Sequence, residues 1–218
     1  ATTIVTSHSC AVLDNGSAYC WGYNADGQLG DGSTTDSPFP VSVALPSGST
    51  ATTISASTSQ GLGSHSCAVL DNGSAYCWGD NYDGKLGDGT TTDSSTPVMV
   101  AMPSGSTVTS VSTGSGHSCA VLDNGSAYCW GDNYHGQLGD GSTDDSASPV
   151  LTNLSGWASV TSISAGGEHT CALADDGSAY CWGDGSTDAA SVSLPSGSTV
   201  TSVSASKDHT CAVLDNGS

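Results

Sequence analysis

A formal charge of −19 on 218 residues, with Lys85 and Lys207 set against 21 acidic side chains and no arginine, leaves no cationic stripe to neutralise phosphates. Binding to DNA or RNA is excluded on that ground. No apolar stretch is long enough to span a bilayer, and no basic amphipathic segment is present to lie on one.

In chain order, the first element is a hairpin at 8–22 reading HSCAVLDNGSAYCWG. It returns almost verbatim at 65–79 and 117–131, recurs as HTCALADDGSAYCWG at 169–183, and begins again at 209. The first cysteines of these units, Cys10, Cys67, Cys119, Cys171 and Cys211, lie 57, 52, 52 and 40 residues apart. Units of about 40–50 residues are blades of four strands, whereas leucine-rich, ankyrin and tetratricopeptide units are shorter and carry helices. Ser, Thr and Gly dominate, and no window places apolar residues at helical spacing. The expected fold class is all-β: a single β-propeller-type array of four-stranded blades at about 1–50, 51–107, 108–159 and 160–199, with a partial unit at 200–218.

Within a unit, Val108–Ser112 reads as the inner strand, His117–Leu122 and Ala127–Gly131 as a hairpin, and Pro97–Met102 of the preceding unit as an outer strand whose proline suits an edge. Asp-Asn-Gly between two apolar runs predicts a three-residue turn with a glycine bulge. Residues whose numbers sum to 30 then face each other in the first hairpin, so Cys10 meets Cys20 at a non-hydrogen-bonded pair, where Cα atoms are about 4.5 Å apart. Disulfides are expected at Cys10–Cys20, Cys67–Cys77, Cys119–Cys129 and Cys171–Cys181. Cys211 has no partner ten residues on, and is expected to be unpaired. Both hairpin faces are apolar, with Cys10, Val12, Ala18 and Cys20 on one and Ala11, Leu13, Tyr19 and Trp21 on the other, as a sheet between two sheets requires.

The small-residue strand, the HSCAVL and DNGSAYCWG runs, and the loop GDNxxGxLGDG recur together in register over nearly the whole chain. This pattern resembles the regulator of chromosome condensation repeat family, and the resemblance implies a propeller, usually of seven blades. The chain departs from the family in three ways. Cysteines replace ordinary apolar residues at two hairpin positions, which points to an oxidising, extracellular or cell-surface location. The fourth unit runs from Trp182-Gly183 to Asp184-Gly185-Ser186 without the long loop, so one rim of that blade should be trimmed. Seven blades at about 50 residues each need roughly 350 residues, more than are present here. Both ends carry the same half of a unit, so a half-blade is expected to be completed by further residues of the same polypeptide or by another molecule. A first residue, Ala1, with neither Met nor signal peptide before it is what a processed secreted chain would show.

Three chemistries are compatible with these residue types. His8, Cys10 and Cys20 share a hairpin face and resemble a zinc set, but the cross-strand register favours the disulfide. Asp80, Asp83, Asp88 and Asp93 lack EF-hand spacing, so diffuse cation binding is expected over a calcium site, and no cofactor or metal is assigned. A Cys-His nucleophile repeated identically in every unit is not how catalytic sites occur, and no enzyme is expected. Asn15, Asn72, Asn124, Asn153 and Asn216 open glycosylation sequons, although Asn-Gly-Ser is also ordinary hairpin chemistry. The reading is a non-catalytic secreted or cell-surface protein serving as a structural component of a filament or surface layer, through self-association. The alternative is a propeller that presents its loop rim to a protein partner.

Overall fold

The Asp-Asn-Gly turns set the register of the sheets. In the computed structural model, which describes residues 7–57, 63–154 and 159–215, Gly16 sits at φ 78°. Its N–H donates to Leu13 O at 2.8 Å, and Leu13 N–H donates to Ser17 O at 2.9 Å. These bonds make a three-residue loop closed by a glycine bulge, a conformation that glycine adopts without a Cβ penalty. β1 (His8–Val12) and β2 (Ala18–Gly22) consequently pair Cys10 with Cys20, Ala11 with Tyr19 and Val12 with Ala18.

β3 (Ser37–Ser42) completes a sheet of order β1-β2-β3. The inner strand expected for this unit lies outside the described residues. Three four-stranded antiparallel sheets follow. The second is β4 (Ala51–Ala56), β5 (His65–Leu70), β6 (Ala75–Gly79) and β7 (Ser94–Met99). The third is β8 (Val108–Thr113), β9 (His117–Leu122), β10 (Ala127–Gly131) and β11 (Ser146–Leu151). The fourth is β12 (Val160–Ala165), β13 (His169–Ala174), β14 (Ala179–Gly183) and β15 (Ser186–Ser191). β16 (Val200–Ala205) and β17 (Thr210–Leu214) form a two-stranded sheet.

Successive sheets pack face to face, β1 on β4, β5 on β8, β9 on β12 and β13 on β16, while the inner strands β4, β8, β12 and β16 run side by side. Ser, Thr and Val fill those inner strands, and small or β-branched side chains are what crowding around an axis admits. The apolar clusters lie in the gaps between sheets. Cys20, Leu29, Ala68 and Trp78 occupy the first gap, Cys67, Leu86, Val111 and Trp130 the second, Leu138, Ile163 and Trp182 the third, and Cys171, Leu173 and Val203 the fourth. A strand covered on both sides is buried at every residue, and β5, β9 and β13 are. The first hairpin departs from the expected two-sided burial. Leu13 is 51% exposed and Ala11, Tyr19 and Trp21 are half-buried, because no sheet among the described residues covers that face.

The outer strand also differs from its expected span. β7 begins at Ser94 opposite Gly79 and ends at Met99 opposite Tyr76, with an irregularity between Cys77 and Gly79. Pro97, which has no N–H to donate, falls within that irregular stretch of an edge strand. The chain leaves the strand after Met99 because Val100 turns inward to 3% exposure, its N–H donating to Ala75 O at 3.0 Å. In the fourth sheet the long loop is replaced by a two-residue turn, with Asp184 at φ 52° and Gly185 at φ 92°. Asp-Gly is well suited to that turn, since both positions need positive φ.

Candidate functional site

The long loops at 23–36, 80–93 and 132–145 are each organised around one buried asparagine. Asn81 Oδ1 accepts from Leu86 N–H at 2.9 Å, and its Nδ2 donates to Thr90 O at 3.0 Å and Thr92 O at 3.1 Å. Its own N–H donates to Asp93 Oδ1 at 2.8 Å. Asn24 and Asn133 make the equivalent bonds in their loops. One amide thus satisfies backbone groups at both ends of a loop that has no ladder of its own.

Each loop then locks the next sheet in place. Gln28 O accepts from Ser66 Oγ at 3.0 Å and Trp78 Nε1 at 2.9 Å. Lys85 O accepts from Ser118 Oγ at 3.0 Å and Trp130 Nε1 at 2.8 Å, and Gln137 O from Thr170 Oγ1 at 2.8 Å and Trp182 Nε1 at 2.9 Å. The same hydroxyls meet the Nε2 atoms of His8, His65 and His117 at 2.7–2.8 Å. Because the hydroxyl hydrogen is given to the carbonyl, each imidazole donates from Nε2 and is neutral at Nδ1. Burial pushes His8 and His117 down from 6.5 to about 4, with Asp132 opposing the fall at His117. His65 lies well below its ordinary value through burial and then the nearby Lys85 charge. On the sequence, His8 invites a zinc reading and the histidine of each unit a nucleophile's base, and neither reading contains the lock. The available signal was the Ser or Thr directly after His65, His117 and His169, each followed by a tryptophan thirteen residues after the histidine.

The remaining candidates separate. The structure joins Cys10–Cys20, Cys67–Cys77, Cys119–Cys129 and Cys171–Cys181, with Cα atoms 4.0–4.1 Å apart, and Cys211 is free and exposed. Asn15, Asn72 and Asn124 are exposed at hairpin turns, where each Oδ1 accepts the backbone N–H of Ser17, Ser74 or Ser126 at 3.0 Å. Asn153 lies after β11, its N–H donating to Gly139 O at 2.6 Å, and Asn216 lies outside the described residues. Asp80, Asp83, Asp88 and Asp93 do not converge. Asp93 caps Asn81, Asp88 accepts from Thr90 N–H at 2.9 Å, and Asp80 pairs with Lys85. Among the described residues no three His, Cys, Asp or Glu side chains cluster as metal ligands.

What the loops present outward is aromatic and acidic. Tyr82 and Tyr134 are 81% and 78% exposed on successive loops, and Tyr134 stands edge-on to His135, whose Nε2 is 3.2 Å from Glu168. Beside them a depression of about 300 Å³ is lined by Asp83, Lys85, Asp132, Glu168, Lys207 and Asp208. Lys85 is buried, its ammonium paired with Asp80 and donating to Gly63 O at 3.2 Å, so it offers little charge to a visitor. Burial raises the Asp83 carboxyl from its ordinary value against the pull of Lys85. The net character of this rim is anionic.

Stacked four-stranded antiparallel meanders with their inner strands side by side define a β-propeller-type array of blades, and solved structures share it. Human WBSCR16 superposes with a TM-score of 0.83 at 22% identity, over 96% of this chain and 57% of that one. Yeast RCC1 (Prp20), solved bound to Kap60, gives 0.78 at 22% identity, over 98% and 53%. The sequence carries the assignment further. The model of the regulator of chromosome condensation (RCC1) repeat matches residues 15–69, 72–121 and 124–173, and a second model of that repeat matches 57–85, 108–137 and 160–187. The chain belongs to the RCC1 repeat family. It is 34% identical over 177 residues to the ultraviolet-B receptor UVR8 of Arabidopsis thaliana, covering 81% of this chain and 39% of that protein. It is 33% identical over 180 residues to the human E3 ubiquitin-protein ligase HERC2, covering 82% of this chain and 4% of that protein. The chain therefore spans well under half of these relatives.

Proposed function

We propose that the chain is a non-catalytic, extracellular protein-binding module that holds a basic protein surface against its loop rim. The observation that carries this reading is the pair of exposed tyrosines, Tyr82 and Tyr134, on successive loops among carboxylates. Tyrosine gives large contact area at low entropic cost and is enriched where proteins bind strongly. Desolvating the carboxylates is offset only by a cationic partner, and the −19 charge steers such a partner in. The kinship with yeast RCC1, solved bound to Kap60, supports protein binding as the mode. The four hairpin disulfides support a location outside the reducing cytosol. A filament or surface-layer role is the second reading. It is favoured by near-identical sheet-to-sheet contacts, which two subunits are able to reproduce between them.

The test is binding to a panel of basic and neutral extracellular proteins, by interferometry. Basic partners bind, the affinity falls steeply with salt, and the Tyr82→Ala, Tyr134→Ala double variant loses about tenfold or more with an unchanged circular dichroism spectrum. Indifference to both salt and the double substitution would remove the rim from consideration. A concentration-dependent rise in mass without added partner would instead favour assembly.

A further inference from the structure

Each outer strand bonds to its hairpin along one edge and turns the other edge outward, and an open edge is a template for pairing. The register shows which residues face out. Ala174 N–H donates to Ser178 O at 2.9 Å, so counting along the hairpin makes Cys171–Cys181 a pair whose backbone groups point away from each other. Cys181 therefore directs its N–H and C=O to Ala190, and Ala189 and Ser191 direct theirs outward. By the same count Pro40, Pro97 and Pro149 stand at outward positions of β3, β7 and β11. Proline has no N–H to offer there. On two of these strands the loop of the preceding sheet closes more of the edge: Gly32 N–H donates to Ser95 O on β7 at 2.9 Å, and Gly89 N–H to Ala147 O on β11 at 2.9 Å.

β15 has neither device. Ala189 holds the place of the prolines. Gly141 and Thr187 are the counterparts of Gly89 and Ala147, and no such bond joins them among the described residues. A Cβ on Gly141 would meet nothing within 4 Å, whereas on Gly32 or Gly89 it would touch Thr96 or Ser148 at 3.7 Å. The loop reaches the turn instead, His135 O accepting from Gly185 N–H at 2.9 Å. The cap on an outer edge comes from the sheet before it, so the state of this edge is decided within residues 132–191. Thr187 O and the N–H and C=O groups of Ala189 and Ser191 form a row that no strand among the described residues pairs. Asp184 and Asp188 are exposed before and on this strand.

We propose that the outer edge of β15 takes up an extended, lysine- or arginine-bearing segment of a partner protein as a fifth strand of the fourth sheet. Main-chain bonds to Thr187, Ala189 and Ser191 supply the attraction and require an extended segment. Asp184 and Asp188 select a cationic one, and the −19 charge on each copy opposes a second copy of the chain as occupant. This edge is a second site, and it does not involve Tyr82 or Tyr134.

The experiment is fluorescence anisotropy of a labelled peptide of alternating lysine and valine, titrated with the whole chain at physiological salt, with hydrogen exchange of the chain followed by NMR. Saturable binding is expected, together with slowed exchange at the N–H groups of Ala189 and Ser191. Ala189→Pro, which installs the residue that the other three outer strands carry, weakens binding about tenfold or more, as does Asp188→Lys, each at a matched thermal midpoint. The same peptide methylated on alternate backbone nitrogens keeps its lysines and loses strand pairing, and it too binds about tenfold or more weakly, a test that stands even where Ala189→Pro fails to fold. The Tyr82→Ala, Tyr134→Ala chain binds as before. Absence of saturable binding, indifference to Ala189→Pro or to backbone methylation, or unchanged exchange at Ala189 and Ser191 overturns the proposal. A dimer of the free chain that Ala189→Pro abolishes would overturn it in favour of a second copy as the occupant.

Discussion

His65 and His117 sit in gaps between sheets, each giving its Nε2 hydrogen to a hydroxyl that is itself committed to a loop carbonyl. A proton added at Nδ1 would be a buried charge with no acceptor, since that atom is unpartnered in His8, His65 and His117. The unfolded chain takes up those protons near pH 6.5, while His8 and His117 resist until about 4. The unfolded state therefore binds more protons in that interval, and stability falls as the pH drops through it. Each of these histidines withdraws on the order of 3 kcal/mol by the bottom of the window. Carboxylates still charged above pH 5 do not mask the effect in its upper half. Thermal midpoints measured from pH 7.5 to 5 should be level above 6.5 and decline below it. A level profile down to pH 5 would mean that the histidines are not held neutral.

At the scale of the element, the hairpin is stabilised by its turn and its cross-strand cysteines as well as by the few large side chains it buries. Beside Val121, Leu122 and Trp130 its two strands offer mainly alanine, serine and cysteine to the core, and a two-stranded hairpin is marginal by itself. A bond between residues ten apart contributes about 3 kcal/mol in the chain-entropy picture. The Cys119→Ser, Cys129→Ser double variant should lose about that much in denaturant titration. Alkylation of the unreduced protein followed by peptide mapping should label Cys211 alone. Label at Cys67 or Cys77 would contradict the pairing. Much of this element was readable beforehand, because turn chemistry and the two-residue alternation of a strand are local. The exit of the outer strand after Met99 was not, since it follows from Val100 finding a place between sheets.

For the whole molecule, charge is the governing quantity. With 21 carboxylates, one buried lysine and one on the surface, the chain should show no binding to duplex DNA or single-stranded RNA at physiological salt, by gel shift or anisotropy. Micromolar binding to either would require a cationic surface that the composition does not supply. The same charge keeps chains apart in solution, so contacts between copies have to come from apolar or hydrogen-bonded surfaces.

Repeat length, strand alternation, the Asp-Asn-Gly turns and the ten-residue cysteine spacing were decided by the sequence alone, because each acts between residues a few positions apart. The locks between sheets were decided only in three dimensions. Gln28, Ser66 and Trp78 come from two different units, and nothing local in either shows that a main-chain carbonyl of one will meet a hydroxyl and an indole of the other. The loop asparagines are similar, bonding across nine to twelve residues to backbone that is placed only when the loop folds. The absence of a loop after Trp182 was visible in the sequence as a missing stretch. What replaces it, a two-residue turn at Asp184 and Gly185 that joins β14 directly to β15, exists only once the strands pair, because both residues take positive φ to bring Ser186 opposite Gly183.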